Sequence, residues 1–187
     1  MGRLIKAAGR IELRPAIDDN FAALVRSIMY QQLAGAAAST IHGRFLKLFA
    51  GGLSPAAVLA LPEGIMRTAG VSGAKAAAIT DLASKVDDGA VPLDDVDSFS
   101  DDELVAHLVQ VRGIGRWTAE MFLIFQLRRL DVWPVDDFAI RKGWAIAHRL
   151  KDLPTPRALQ AEGDIFRPYR TVAAWYCWRA TDTVLPA

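Results

Sequence analysis

The chain has 187 residues, 52% of them hydrophobic and 23% charged, with a formal net charge of +1. That length fits one domain or two small lobes, and the composition is globular rather than disordered. No apolar run approaches the roughly 18 residues of a membrane span, the first residues lack a signal-peptide core, and a single cysteine, Cys177, excludes an intrachain disulfide and any cysteine-built zinc or iron–sulfur site. The expectation is a cytoplasmic, metal-poor enzyme or binding domain.

Taken in chain order, the pattern is helical nearly throughout. Asp18, Asp19 and Asn20 offer N-caps for an apolar-periodic run over 21–30. That run ends in Tyr30-Gln31-Gln32-Leu33, polar amides beside a large apolar residue, and a second helical run covers 35–49. Such a turn can insert into the gap left by an extruded nucleotide, with Gln32 or Leu33 as the wedge. It can equally be a polar helix end. Ser54-Pro55 reads as cap and first residue of a short helix ending near 61. Ser72 reads as the cap of a helix over 73–86, followed by an Asp-rich loop to about 98. Ser100-Asp101-Asp102-Glu103 is a capping box that opens a helix to about 110. Residues 81–103 hold nine acidic residues and one basic, Lys85, which leaves 21 basic and 12 acidic elsewhere. The anionic segment is expected to point away from any polyanion, while the remainder can form a basic face.

Gly113-Ile114-Gly115 then breaks the chain, and a new helix runs over 116–127. Glycines can take positive φ and leave the backbone bare. The first amides of the following helix face outward, backed by the positive end of its dipole. That arrangement suits a phosphate oxygen. Ile114 is expected to plug inward and pin the two helices, and Gly113, Gly115, Arg116 and Thr118 become candidate DNA contacts. An ordinary helix–helix turn is the alternative.

Trp133-Pro134 forces an extended turn. Asp136 is expected to cap a helix reaching about 150, with Asp137 beside it free to project. A helix dipole favours an anion there, the wrong state for a general acid but suited to an oxocarbenium-like sugar as a base departs. On the residues alone, a capping role is the simpler reading of both. Pro154 and Pro156 bound a connector, a short helix follows Thr155, and a last helix runs from Pro168 to about 180. No window alternates as a strand, so the fold class is all-α. Trp117, Phe122, Trp175, Tyr176 and Trp178 lie at helical spacings that usually mean core. An extruded base, however, needs π-faces to replace its stacking, and a cationic alkylpurine is drawn to indoles.

The Tyr30-Gln31-Gln32-Leu33 turn, the run Gly113-Ile114-Gly115-Arg116-Trp117-Thr118-Ala119, the run Trp133-Pro134-Val135-Asp136-Asp137, and Pro168-Tyr169-Arg170 with Trp175 and Trp178 belong together. Over residues 18–182 they resemble the helix-hairpin-helix DNA glycosylase superfamily, specifically its 3-methyladenine DNA glycosylase II branch. The resemblance implies a two-lobed helical glycosylase fold with the hairpin, about 104–127, at the lobe junction. One six-helix lobe would cover 24–131, and 1–23 with 132–187 would form a second that carries the catalytic aspartate. It selects Asp137 over Asp136, because the family's carboxylate lies about 20 residues beyond the aromatic after the hairpin. It assigns Tyr30, Trp117, Phe122, Trp175 and Trp178 to the substrate pocket. Bifunctional relatives carry a lysine at the Trp117 position, whose amine attacks C1′; an indole leaves water as the attacker.

The implied function is monofunctional hydrolysis of the N-glycosidic bond of alkylated purines in damaged double-stranded DNA. It would proceed by base flipping, as part of base excision repair, in a monomer of the bacterial cytoplasm that joins the nucleoid on DNA. No organic cofactor is expected. The family's hairpin holds a monovalent cation, Na+ or K+, here through the carbonyls of Val109, Val111 and Ile114. Two rivals stand beside this reading. The same fold acting on uracil, a mismatch or an oxidised base would need polar pocket groups, and a non-catalytic hairpin module would not need Asp137.

Overall fold

A computed structural model describes residues 2–13 and 15–182 of the chain. Every regular element among them is helical, as expected: α1 (Gly2–Ala8), α2 (Asn20–Tyr30), α3 (Gly35–Leu46), α4 (Pro55–Leu59), α5 (Ile65–Thr68), α6 (Gly73–Asp87), α7 (Asp101–Leu108), α8 (Arg116–Phe125), α9 (Phe138–His148), α10 (Pro156–Glu162) and α11 (Arg170–Asp182). None of these is long and apolar enough to cross a membrane. Helices α1 and α5, of seven and four residues, have no counterpart in the sequence pattern. Both are too short to show a 3.6-residue period.

Side-chain caps open α4, α6, α7 and α10 where the sequence places them. The Ser54 hydroxyl accepts from the Ala57 amide at 3.2 Å, Ser72 from Lys75 at 3.3 Å, and Thr155 from Ala158 at 3.2 Å. Ser100 and Glu103 complete the capping box from both sides. Each cap stabilises its helix by about 1 kcal/mol.

By contacts the chain divides into Ala16–Phe122 and a second unit made of Met1–Pro15 with Leu123–Ala187, so the division falls inside α8. In the first unit, α2 turns Phe21, Leu24, Val25, Ile28 and Met29 inward, one stripe at three- and four-residue spacing. Ile79 and Leu82 of α6 and Leu104 and Leu108 of α7 are likewise buried, each contributing about 2 kcal/mol of apolar burial.

The second unit is organised by α9 against α11, around a core of Trp133, Ile140, Trp144, Leu159, Ala174 and Cys177. Gly143 lets the two helices approach, since a Cβ there would lie 1.8 Å from the Cys177 carbonyl oxygen. Burial also pushes the Cys177 thiol up to about 12, so it acts as packing and not as a nucleophile. Helix α1 joins α11 through Leu4, Tyr176 and Ala180, and the Tyr176 hydroxyl donates to the Gly9 carbonyl at 2.8 Å.

Candidate functional site

The hairpin lies between α7 and α8. Ile114 is 3% exposed and fills the inside of the turn, as its place between two glycines predicts. Only Gly113 has a left-handed backbone, with φ of 79°; Gly115 needs no such freedom, which corrects the expectation for it. Gly115 is exposed, with nothing within 4 Å of where a Cβ would stand. The turn is held from outside the motif. Asp81 on α6 accepts the Arg112 backbone N–H at 2.7 Å and also receives the Lys85 ammonium. Those two donors, the amide first, hold the Asp81 carboxyl below its ordinary value.

Arg116 opens α8 with its guanidinium exposed. Its Nε donates to Glu120 at 3.0 Å, and its Nη2 lies 3.9 Å from Asp102. Asp81 and Asp102 belong to the acidic segment expected to face away from DNA. Two of its members instead sit near the hairpin, where Asp81 holds the backbone of the turn and Asp102 lies exposed beside Arg116. Thr118, expected among the DNA contacts, is buried.

The Tyr30-Gln31-Gln32-Leu33 turn belongs to the same unit. The Gln31 side-chain amide donates to the Gly113 carbonyl at 3.0 Å, which ties this turn to the hairpin across 82 residues of sequence. Gln32 has φ of 57°, and both Gln32 and Leu33 are exposed. A cavity of about 550 Å³ opens beside them, lined by Tyr30, Gln31, Gln32, Trp117, Thr118 and Met121. Its size suits a small ligand. Trp117 remains 48% exposed there. The Arg26 guanidinium sits 5.3 Å over the Tyr30 ring, and His42 meets that ring edge-on at 6.0 Å. Burial, and then Arg26, lower the His42 pKa. Phe122, expected in the pocket, is 3% exposed and absent from this lining. The cavity residues that the sequence pattern misses are Ser27 on α2 and Met121, one position before Phe122 on α8.

The carboxylate lies in the second unit. The segment before α9 is clamped onto α11 at several points. The Thr171 hydroxyl accepts the Val132 amide at 3.0 Å and donates to the Arg129 carbonyl at 2.7 Å. Arg170 grips both oxygens of Asp131, at 2.7 and 3.0 Å. The Trp133 indole donates to the Leu159 carbonyl at 2.9 Å. The chain then turns through Pro134, whose carbonyl accepts the Asp137 amide at 3.1 Å.

That turn makes Asp137, and not Asp136, the N-cap of α9. The expected division of labour is therefore corrected: Asp136 is exposed in the turn, while Asp137 is 7% exposed and does the capping. Asp137 Oδ1 accepts the Ile140 amide at 2.9 Å and the Trp178 indole N–H at 3.3 Å. Trp178 in turn stacks on Phe125, with centroids 5.5 Å apart. Trp175, assigned to the pocket with it, packs instead in the cluster of Leu4, Tyr176 and Ala180.

Residues 25–168 match the family model described as "HhH-GPD superfamily base excision DNA repair protein". The chain belongs to this superfamily. Its HhH-GPD relatives include DNA-3-methyladenine glycosylase 1 of Schizosaccharomyces pombe, 35% identical over 96% of this chain and 81% of that protein. Among solved structures, the S. pombe 3-methyladenine DNA glycosylase in complex with abasic DNA superposes with a TM-score of 0.80, covering 97% of this chain and 90% of the other at 35% identity. A DNA-3-methyladenine glycosidase from Bacillus halodurans gives a TM-score of 0.89 at 34% identity, covering 96% of this chain and 82% of the other.

Within this HhH-GPD chain the site divides unevenly between what its motifs announce and what they omit. Asp137, Trp178, Trp117 and the hairpin are announced. The tethers from Asp81 and Gln31 are not, since each reaches a partner through tertiary folding rather than through a local pattern.

Proposed function

We propose that the chain is a monofunctional DNA glycosylase that releases alkylated purines from double-stranded DNA in base excision repair. The observation that carries this reading is Asp137, a buried carboxylate held by the first turn of α9 and by the Trp178 indole. As a base leaves deoxyribose, positive charge builds on C1′ and the ring oxygen, and a fixed anion lowers that barrier. A purine alkylated on a ring nitrogen is already cationic. It departs as the neutral base with the bonding electron pair and needs no general acid. Water adds to C1′, and its proton passes to Asp137 or to solvent.

The names of the relatives, and abasic DNA bound to one of them, support DNA as the partner and alkylated bases as the target. The exposed hairpin amides are suited to the phosphate backbone, and exposed Gln32 and Leu33 to the gap left by an extruded nucleotide. Trp117 and Tyr30 give the cavity π-faces, which favour a cationic base over a neutral one. Trp117 in place of an amine supports water as the nucleophile. The carbonyls of Val109, Val111 and Ile114 would hold a Na+ or K+ ion. The Val111 carbonyl accepts the Ile114 amide at 3.0 Å, and a carbonyl keeps a second lone pair for a cation. The ion would add positive charge beside a bound phosphate. The working form is taken to be a monomer.

The test is base release from duplexes that each carry one defined lesion, run with and without borohydride. The expected products are free 3-methyladenine or 7-methylguanine, an intact abasic strand and no trapped protein–DNA adduct. A trapped adduct would overturn the monofunctional assignment and direct attention to exposed Lys142. Release of no base from any lesion would overturn the glycosylase reading itself.

A further inference from the structure

Lys75 belongs to none of the sequence motifs. It sits in the first turn of α6, yet its ammonium donates to the Met29 carbonyl at 2.7 Å and to the Gln31 carbonyl at 2.8 Å, across 46 and 44 residues of sequence. Both are carbonyls at the end of α2, where a helix leaves its acceptors without intrahelical donors and carries partial negative charge. The contact is partly desolvated, and burial lowers the Lys75 pKa. Charge-assisted bonds of this length are stronger than neutral ones.

The two carbonyls flank Tyr30, and that of Gln31 directly precedes Gln32, whose φ of 57° is unusual for a residue other than glycine. Such a backbone persists only where its surroundings over-determine it. Packing does not supply that constraint. A cavity of about 230 Å³, lined by Gln32, Leu33, Ile41, Gly70, Val71 and Lys75, opens beside the turn. Polar tethers supply it instead: Lys75 from α6, and the Gln31 amide on Gly113 from the hairpin.

We infer that Lys75 is a positioning residue that holds the Tyr30-Gln31-Gln32-Leu33 turn in the shape in which Gln32 and Leu33 enter the duplex. The inference rests on the insertion role given to that turn under Proposed function. Lys75 touches no reacting atom. Its contribution is to opening the base pair, so it matters most where the lesion has a partner to be parted from.

The experiment compares wild type, Lys75→Met and Lys75→Arg on two duplexes. One carries 7-methylguanine opposite cytosine, and the other carries the same lesion opposite an abasic-site analogue. Lys75→Met keeps the alkyl stem and loses the ammonium, and its single-turnover release should drop about tenfold more on the paired lesion than on the unpaired one. Lys75→Arg should recover most of that difference. An equal loss on both duplexes, or no loss on either, overturns the inference. A second readout needs no chemistry: 2-aminopurine placed beside the lesion should brighten when wild type binds and stay dim with Lys75→Met at saturation. If wild type releases no base, the glycosylase reading falls and this fluorescence difference still decides Lys75. Equal brightening by the two proteins overturns the inference.

Discussion

Helices α8 and α9 begin in opposite ways. Helix α9 starts on its own carboxylate: Asp137 turns inward, takes the Ile140 amide and is buried with an indole against it. Helix α8 starts after a bare glycine with nothing near its Cβ position, and its first residues Arg116 and Trp117 are exposed. The same electrostatics operates at both. A helix N-terminus attracts an anion, and the chain supplies that anion itself at α9, while α8 begins on exposed residues suited to an anion from outside. The surroundings follow suit. Around α9 the tethers clamp a buried carboxylate, and around α8 they clamp a backbone. Of the two carboxylates near the hairpin, Asp81 fixes its shape by accepting the Arg112 amide.

This contrast breaks most visibly at Asp137. Asp137→Asn keeps a good N-cap, because asparagine caps about as well as aspartate, and it removes the anion. Base release should fall by about a thousandfold or more, with folding and DNA affinity retained. Asp137→Ala should add a stability loss of about 1 kcal/mol from the lost cap. Asp136→Asn should do little to either. Single-turnover release and thermal unfolding on the three variants check this, and a dead Asp136 variant would reverse the assignment.

The α8 end is probed by Gly115→Ala. The new methyl meets nothing within 4 Å and no left-handed backbone has to be maintained, so the fold should be untouched. It should still stand in the approach of a phosphate and weaken binding by about tenfold, equally for damaged and undamaged duplex. Affinity measured on matched duplexes tests it, and a change in which lesion is preferred would move the hairpin into the pocket.

Much of this was legible in the chain, for a physical reason. Caps, the glycine turn and the inward Ile114 depend on neighbours within four residues, and local chemistry decides them. The Asp136/Asp137 order was not legible, because consecutive aspartates cap equally well. It is settled by the Asp137 amide closing a turn onto Pro134. The packing partners of Phe122 and Trp175 were not legible, because helical spacing says that an aromatic is buried, not against what. The tie from Asp81 to Arg112 and those from Lys75 to Met29 and Gln31 carried no signal, since these partners lie 31 to 46 residues away.

A smaller effect is expected from acid. Asp81 is held below its ordinary 3.8, by the Arg112 amide first and then by Lys85. A carboxyl depressed in the folded state stabilises above its unfolded pKa and loses that contribution as pH falls through the folded one. Asp81→Asn keeps an acceptor of the same shape without the charge. The stability gap between wild type and this variant should stay level down to about pH 5 and close only below 3.8. Denaturant titrations across that range measure it, and a gap that closes near neutral pH would assign it to another group.

Arg116 should give the smallest change, and it separates a cation aimed at DNA from one that is occupied. An exposed arginine on one phosphate adds about one unit to the slope of log affinity against log salt. Here the guanidinium donates to Glu120 at 3.0 Å and has Asp102 at 3.9 Å. A phosphate would compete with one buried and one exposed carboxylate, so Arg116→Ala should flatten the slope by less than about one unit. Asp102→Asn should steepen it slightly, because the guanidinium loses an exposed competitor. The two changes carry opposite signs, and that sign is the informative quantity. If Arg116→Ala removes a full unit while Asp102→Asn does nothing, Arg116 turns wholly to DNA on binding and its contact with Asp102 has no bearing on the interface. If both leave the slope unaltered, the hairpin binds through its amides alone, and the likeness drawn between the starts of α8 and α9 holds without any side-chain cation.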